Sequence, residues 1–247
     1  MNLKVPESFA TTDSSDLLPV LILAGGLATR LWPLTERIPK ALIEVAGRPF
    51  LWHQLQLLKK NGVRRVVLAL GYLGEDIRKR FGDGSEVGVS LEYSFDGPKP
   101  LGTAGAIRKA LPFLPEQFFV LYGDSYLICD YRSIESAFRA SRLTGLMTIY
   151  QNEGLLDKSN VEYDGTRILQ YDKGNRTPAM RYIDYGLGVF NRDAFASIPV
   201  GESRDLAEVY QALLSARKLA SYEVHERFYE IGSPEGLRET IDLLSRT

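Results

Sequence analysis

Pro19-Val20-Leu21-Ile22-Leu23-Ala24 is an unbroken apolar run that stops at Gly25-Gly26. A run this short, with no polar alternation, predicts a strand buried on both faces, as in a parallel sheet. Val63–Leu70, rich in Val and Leu, and Val89–Tyr93 also read as strands, and Gln117–Tyr122 as another buried one. Between them the apolar spacing lengthens to the helical period. Phe50, Leu51, Leu55 and Leu58 share one face of Phe50–Lys60, and Asn61-Gly62 supplies the stop. Glu75–Phe81, Thr103–Leu111 and Ser133–Leu143 also read as helices, and Leu146–Gln151 as a strand. Strand and helix therefore alternate through about residues 18–150, the pattern of a doubly wound parallel sheet.

Beyond residue 150 the pattern becomes mixed. Ser159–Tyr163, Ile168–Lys173 and Tyr182–Asn191 read as strands joined by turns such as Asp164-Gly165. Asp205–Leu219 is an amphipathic helix, Ala220–Val224 a strand, and Pro234–Ser245 a closing helix with Pro in its first turn. No internal repeat interrupts this order. The chain reads as one domain over residues 18–247, with a larger front half and a smaller back half at about 151–247. Residues 1–17, MNLKVPESFATTDSSDL, are polar and lack an apolar h-region. They predict a flexible extension rather than a signal peptide.

Composition narrows the class only a little. The 247 residues are 45% apolar and 25% charged, with a formal net charge of −1. That balance argues against a nucleic-acid surface, although a local cation cluster can still bind phosphate. Cys129 is the only cysteine, so no internal disulfide forms, and its apolar setting Tyr126-Leu127-Ile128 makes it a small buried hydrophobe. Two histidines, His53 and His225, are too few for a His/Cys zinc site, and no G-x-S-x-G elbow is present. No apolar run approaches the roughly 20 residues of a membrane helix. A cytoplasmic location follows as the expectation, where NTPs are available.

The candidate chemistry begins where the first strand ends. Leu23-Ala24-Gly25-Gly26-Leu27-Ala28-Thr29-Arg30-Leu31-Trp32-Pro33-Leu34-Thr35 continues to Ile38-Pro39-Lys40. Paired glycines after a buried strand turn the backbone sharply and present N–H groups to an anion. Arg30 adds a planar fork of donors and Lys40 a mobile point charge, both suited to phosphate. The segment is neither a P-loop, since no Gly-Lys pair occurs in the chain, nor a G-x-G-x-x-G dinucleotide turn. Asp124 of Leu121-Tyr122-Gly123-Asp124 lies at the C-terminal end of a predicted buried strand, where open α/β sheets place their ligands. Such a carboxylate is a natural Mg²⁺ ligand, because Mg²⁺ takes its other positions from phosphates and water.

Ala24–Lys40 resembles the G-G-x-G-T-R-L-x-P-L-T-x-x-x-P-K signature of the sugar 1-phosphate nucleotidyltransferases, with Ala28 where the third glycine usually stands. The likeness runs from Leu18 to about Leu244. It implies a Rossmann-like α/β fold of nucleotidyltransferase type, with a doubly wound, mixed but mainly parallel sheet and a smaller mixed sugar-binding part. It also implies an NTP and a sugar 1-phosphate as substrates, Mg²⁺ as cofactor, and pyrophosphate as the second product. Arg30, Lys40 and Asp124 would be catalytic, and Ala24, Gly25, Gly26 and Thr29 would shape the nucleotide loop. Leu101-Gly102-Thr103-Ala104-Gly105-Ala106 is similar to the family's base-recognition turn, assigning Gly102, Thr103 and Gly105 to the nucleotide; Thr103 as a plain helix cap is the alternative.

Asp124 and Glu230 of Phe228-Tyr229-Glu230-Ile231-Gly232-Ser233-Pro234 would be the metal carboxylates, with Glu230 standing where aspartate is usual. Asp172-Lys173 resembles the pair that grips the sugar phosphate, and Asp184-Tyr185-Gly186 the strand backing the sugar; a solvated turn and an exposed edge are the plain alternatives. The compact chain, the Gly102–Gly105 turn and Gly82-Asp83-Gly84 look most like guanylyltransferases for heptose or mannose 1-phosphates. Uridylyltransferases for hexose or amino-sugar 1-phosphates come next and thymidylyltransferases further off. A non-catalytic nucleotide-sugar sensor or partner subunit is the rival of another class. Neither nucleic acid nor membrane is expected as a partner, and oligomeric state stays open, a homo-oligomer included.

Overall fold

The computed structural model describes residues 16–26, 31, 35–152, 154 and 156–246. The expected extension, residues 1–17, falls almost wholly outside that set. Its last residue does not behave as an extension: Leu17 is buried in the core, and the neighbouring Leu18 N–H donates to Glu135 at 2.9 Å.

Four strands stand side by side and parallel: β1 (Val20–Ala24), β4 (Arg65–Leu70), β5 (Ser90–Phe95) and β6 (Gln117–Tyr122), in the order β5-β4-β1-β6. Their side chains alternate between two apolar layers. Val20, Ile22, Val66, Leu68, Phe119 and Leu121 enter one layer; Leu21, Val67, Ala69, Phe118 and Val120 enter the other. The period-2 geometry of a strand sends neighbours to opposite faces, so continuous apolar runs require cover on both sides. Helices α1 (Phe50–Lys60), α2 (Gly74–Phe81) and α4 (Tyr131–Ser141) cover the first face through Leu51, Leu55, Ile77, Ile134 and Phe138. Helices α3 (Gly102–Ala110) and α5 (Leu206–Ser215) cover the second through Ala104, Ile107, Leu206 and Val209.

The order of the later strands is not the order of the chain. β11 (Tyr182–Asn191) pairs antiparallel with β6, and β8 (Gly145–Gln151) pairs antiparallel with β11. A strand from the back half thus separates two that the alternating pattern made neighbours. β12 (Leu219–Val224) runs parallel beside β8, while β9 (Val161–Tyr163) and β10 (Ile168–Tyr171) extend from the Tyr182 end of β11. One mixed, doubly wound sheet results, with its parallel block in the front half.

Helix ends follow local chemistry. Asp130 caps α4 by accepting from Arg132 and Ser133 N–H at 3.0 Å each, so the helix begins two residues before the expected Ser133. Asp205 and Glu208 form a capping box on α5. That helix stops at Ser215, four residues short of the expected Leu219, because Leu219 is already paired with Gly145 in the sheet. Four short strand pieces escaped the sequence pattern: the two of the β2–β3 hairpin (Glu44–Val45, Arg48–Pro49) and the two of the bridge between β7 (Ser125–Tyr126) and β13 (Tyr229–Glu230). Helix α6 (Pro234–Leu244) closes over a third apolar cluster of Ile43, Val45, Phe50 and Ile231. No described helix is long and apolar enough to cross a membrane.

Candidate active site

Two clefts open at the C-terminal ends of the parallel strands and share Lys40, Tyr122 and Asp124. The first, about 530 Å³, is lined by Ala24, Gly25, Gly26, Asp96, Gly102 and Thr103 among others, and every lining residue precedes residue 125. The second, about 510 Å³, is lined by Ser125, Asp184, Tyr185, Gly186, Phe228 and Glu230, nearly all from the back half or the β7 turn. Lys40 Nζ donates to Asp124 Oδ2 at 3.0 Å at their junction.

Close backbone approach builds the first cleft. Gly123 N–H donates to Leu23 carbonyl at 3.0 Å, and a Cβ on Gly123 would lie 2.4 Å from that same oxygen. Only a residue without a side chain lets β1 and β6 meet there, which puts Asp124 beside the Gly25-Gly26 turn. Thr29 and Arg30 of the glycine-rich motif lie outside the described residues, as does Ala28.

The 102–105 turn is used differently from the expectation. Gly102 and Thr103 do line the cleft. Gly105 does not: its bare face meets the Glu202 carbonyl, and a Cβ would lie 2.3 Å from that oxygen. The N–H groups of Ala104 and Gly105 donate to the Arg204 carbonyl at 2.9 and 3.3 Å, so they are not free to read a base edge. Thr103 Oγ1 accepts from Leu206 N–H at 2.6 Å and thereby serves the start of α5 rather than its own helix.

One carboxylate on this wall was not singled out from sequence. Asp96 follows β5 directly, and burial pushes its carboxyl up, opposed by the Leu101 N–H at 3.4 Å and by Lys109. The signal that selected Asp124, an acid at the end of a buried parallel strand, was also present here.

The β7–β13 bridge pairs Glu230 with Ser125, which brings Glu230 next to Asp124 despite their distance in sequence. Ile231 N–H donates to the Asp124 carbonyl at 2.9 Å. Gly232 fits between the charged groups: a Cβ there would lie 2.7 Å from Glu230 Oε2, 3.1 Å from Asp124 Oδ2 and 3.5 Å from Lys40 Nζ. The Glu230 carboxylate accepts from Gly232 N–H, from Ser233 N–H at 3.1 Å and from Ser233 Oγ at 2.5 Å. It is therefore held onto the turn that opens α6, whereas Asp124 keeps its oxygens at the cleft junction.

On the second cleft, Lys173 and Asp172 part company. Lys173 Nζ lies 5.5 Å from the centre of the Tyr122 ring and its charge opposes the upward push of burial on the Asp184 carboxyl, so it stands beside two residues of the cleft wall. Asp172 accepts from Gly174 and Asn175 N–H at 2.7 and 2.9 Å, which holds its carboxyl below the usual range and commits it to its own turn. Asp184 lines the cleft and is no exposed edge residue. Its Oδ2 accepts from Tyr122 and Tyr171 hydroxyls at 3.3 and 3.4 Å, and Oδ1 from Gly186 N–H at 3.1 Å. Burial pushes its carboxyl up, against the pull of Lys173 and these donors. Gly186 sits at φ +99° in the irregular stretch of β11, and a Cβ would press on the Tyr122 ring at 3.2 Å. Tyr122, which lines both clefts, carried no assignment from sequence because its role depends on where β11 lies.

Two clefts that meet at the carboxyl ends of a mainly parallel sheet stand where open α/β folds of the nucleotide-binding class place their ligands. The profile of the nucleotidyl transferase family matches residues 19–246, and the chain belongs to that family. It is 32% identical over 222 residues to the mannose-1-phosphate guanylyltransferase catalytic subunit beta of Drosophila pseudoobscura pseudoobscura, covering 87% of this chain and 59% of that one. It is 28% identical over 218 residues to the D-glycero-alpha-D-manno-heptose 1-phosphate guanylyltransferase of Campylobacter jejuni, covering 88% and 96%. The chain thus spans 59% to 62% of the length of the mannose-1-phosphate relatives it matches. Among solved structures, HddC from Yersinia pseudotuberculosis complexed with GMP-PN aligns with a TM-score of 0.76 at 23% identity, over 92% of this chain and all of that one. The inositol-1-phosphate CTP transferase from T. maritima aligns with a TM-score of 0.73 at 24% identity, over 93% and 96%. Both share the fold.

Proposed function

We propose that this chain transfers a nucleotidyl group from an NTP to a sugar 1-phosphate and releases pyrophosphate. The observation that carries the reading is the Lys40–Asp124 pair at the meeting of two clefts, one for each substrate. The NTP occupies the front-half cleft, its phosphates running from the Gly25-Gly26 turn toward Lys40. The sugar 1-phosphate occupies the other, with Lys173 drawing in its phosphate and Asp184 accepting from a sugar hydroxyl. A phosphate oxygen of the sugar attacks the α-phosphorus in line, and the bond from that phosphorus to the bridging oxygen breaks, so the electron pair leaves with pyrophosphate. The nucleophile is already an anion and needs no base. Lys40, with Arg30, opposes the charge that develops on the transferred group.

The donor set suits Mg²⁺: Asp124 offers hard oxygens at the junction, and substrate phosphates and water would supply the remaining ligands. Asp124 would hold the ion, with Glu230 reaching it only if its carboxylate leaves the α6 turn. When bound, the ion supplies charge neutralisation between the phosphates.

GTP is the donor this cleft supports best. Guanine presents adjacent N1–H and N2–H donors that a carboxylate accepts together, and Asp96 places such a carboxylate on the wall. Uracil and thymine instead flank one N–H with two oxygens that repel it. Heptose or mannose 1-phosphate is the acceptor, in line with the names of the relatives. A cytoplasmic location, where NTPs are available, goes with this reading.

Pyrophosphate release tests it, using Mg²⁺ and a grid of NTPs against heptose, mannose, glucose and N-acetylhexosamine 1-phosphates. GTP-dependent release that Asp124→Asn abolishes is the expected result. A preference for UTP would move the assignment to the uridylyltransferases. Nucleotide binding without release under any pairing would overturn the reading in favour of a sensor.

A further inference from the structure

Helix α1 sends one polar side chain into the core among Phe50, Leu51, Leu55 and Leu58. Gln54 is 2% exposed, and a buried amide is costly unless its hydrogen bonds are made. Its Nε2 donates to the Ser125 carbonyl at 2.8 Å and to the Tyr122 carbonyl at 3.3 Å. Those carbonyls stand on either side of Gly123-Asp124. Exchanging the amide oxygen and nitrogen would face a carbonyl toward two carbonyls, so the orientation is fixed by chemistry. Gln54 Oε1 has no partner among the described residues, which leaves the two carbonyls to explain why the side chain is there.

We infer that Gln54 is a positioning residue for Asp124, an inference resting on the nucleotidyl-transfer reading. One amide grips the turn from the front-half helix, while Ile231 N–H holds the Asp124 carbonyl from the other side at 2.9 Å. Lys40 then meets a carboxylate whose backbone is clamped on both flanks. Gln54 lines neither cleft and touches no reacting atom, so its effect passes through Asp124.

The same helix offers an internal control. Gln56 Nε2 donates to the Val87 carbonyl at 3.1 Å, far from the site, so its loss removes a comparable hydrogen bond without touching the 122–125 turn. Gln54→Leu, Gln54→Asn and Gln56→Leu would be compared by Mn²⁺ binding, read by electron paramagnetic resonance with a non-hydrolysable NTP analogue, and by steady-state kinetics. Outer partners of metal ligands typically change affinity or activity about 10- to 100-fold. Gln54→Leu should weaken Mn²⁺ binding and lower kcat within that range, leaving KM for the sugar phosphate near wild type. Gln54→Asn keeps donors too short to span both carbonyls, so it should fall between, and it decides the matter if the Leu variant does not fold. Gln56→Leu should lose stability alone. Mn²⁺ affinity and kcat at wild-type values in the folded Gln54 variants would overturn the inference, as would no Mn²⁺ binding by the wild-type chain. A wild-type chain that binds Mn²⁺ yet releases no pyrophosphate would sink the transfer reading and leave the Mn²⁺ comparison to judge Gln54.

Discussion

Gly232→Ala perturbs the site without removing any functional group. The added methyl would lie 2.7 Å from Glu230 Oε2, 3.1 Å from Asp124 Oδ2 and 3.5 Å from Lys40 Nζ. Comfortable contact begins at about 3.5 Å, so the Glu230 oxygen must retreat by roughly 0.8 Å and the Asp124 oxygen by about half as much. All three neighbours are tips of side chains, so the stability cost belongs at the low end of overpacking, about 1 kcal/mol. For a chain of this size that lowers Tm by about 2–4 °C. The rate suffers more. A misplacement of about 1 Å can cost roughly 10²-fold, and half of that displacement at Asp124 scales to about tenfold in kcat. The assay is pyrophosphate release at saturating substrates, with Tm measured on the same preparation. A Tm drop with unchanged kcat would refute the reasoning, because it would mean the Asp124–Lys40 geometry does not set the rate.

Asp96→Asn replaces a pure acceptor by a group that also donates. The amide can accept only one of guanine's two donors, and a hydrogen bond to a charged group is worth about 1.5–3 kcal/mol, so losing one should shrink the preference for GTP over UTP by about tenfold or more in kcat/KM; an unchanged ratio would remove Asp96 from base selection. Lys173→Met should raise KM for the sugar phosphate by about tenfold or more while leaving NTP affinity alone, and equal losses for both substrates would contradict its placement. The Cys129 thiol is pushed up to about 12, first by burial and then by Glu226 and Asp130. Its folded value lies above the unfolded one, so the stability it contributes is present below pH 9 and falls as pH rises toward 12. At pH 8 the thiol should therefore resist Ellman's reagent in the folded chain and react on adding urea; rapid labelling of the folded protein would count against its burial.

The parallel core was legible because it rests on a local rule. Three short apolar runs, those of β1, β4 and β6, can be buried only in a sheet covered on both faces, and the helices between the strands supply that cover, while the mixed run of β5 takes the edge. The glycine-rich turn and Asp124 were legible for the same reason, since they follow β1 and β6 directly, whereas Lys40 was reached only through the motif that runs on from the turn. Lys173 and Asp184 were found in sequence, but not what they touch.

What the sequence could not decide were contacts between segments remote in the chain. Nothing in Tyr182–Asn191 says that it will lie between β6 and β8, yet that placement turns Tyr122 toward Asp184. The β7–β13 bridge is two residues long on each side, too short for any periodicity, and still it delivers Glu230 to Asp124. Its carboxylate then goes to the α6 turn, as Asp172 goes to its own turn and Gly105 to the 202–204 loop, because nearby N–H groups and close backbone compete for residues that a motif assigns to ligand. Residue types and strand ends are local properties, which the sequence determines alone. Which acid is left free to meet a substrate depends on what the rest of the chain has already bound, and only the tertiary structure decided that.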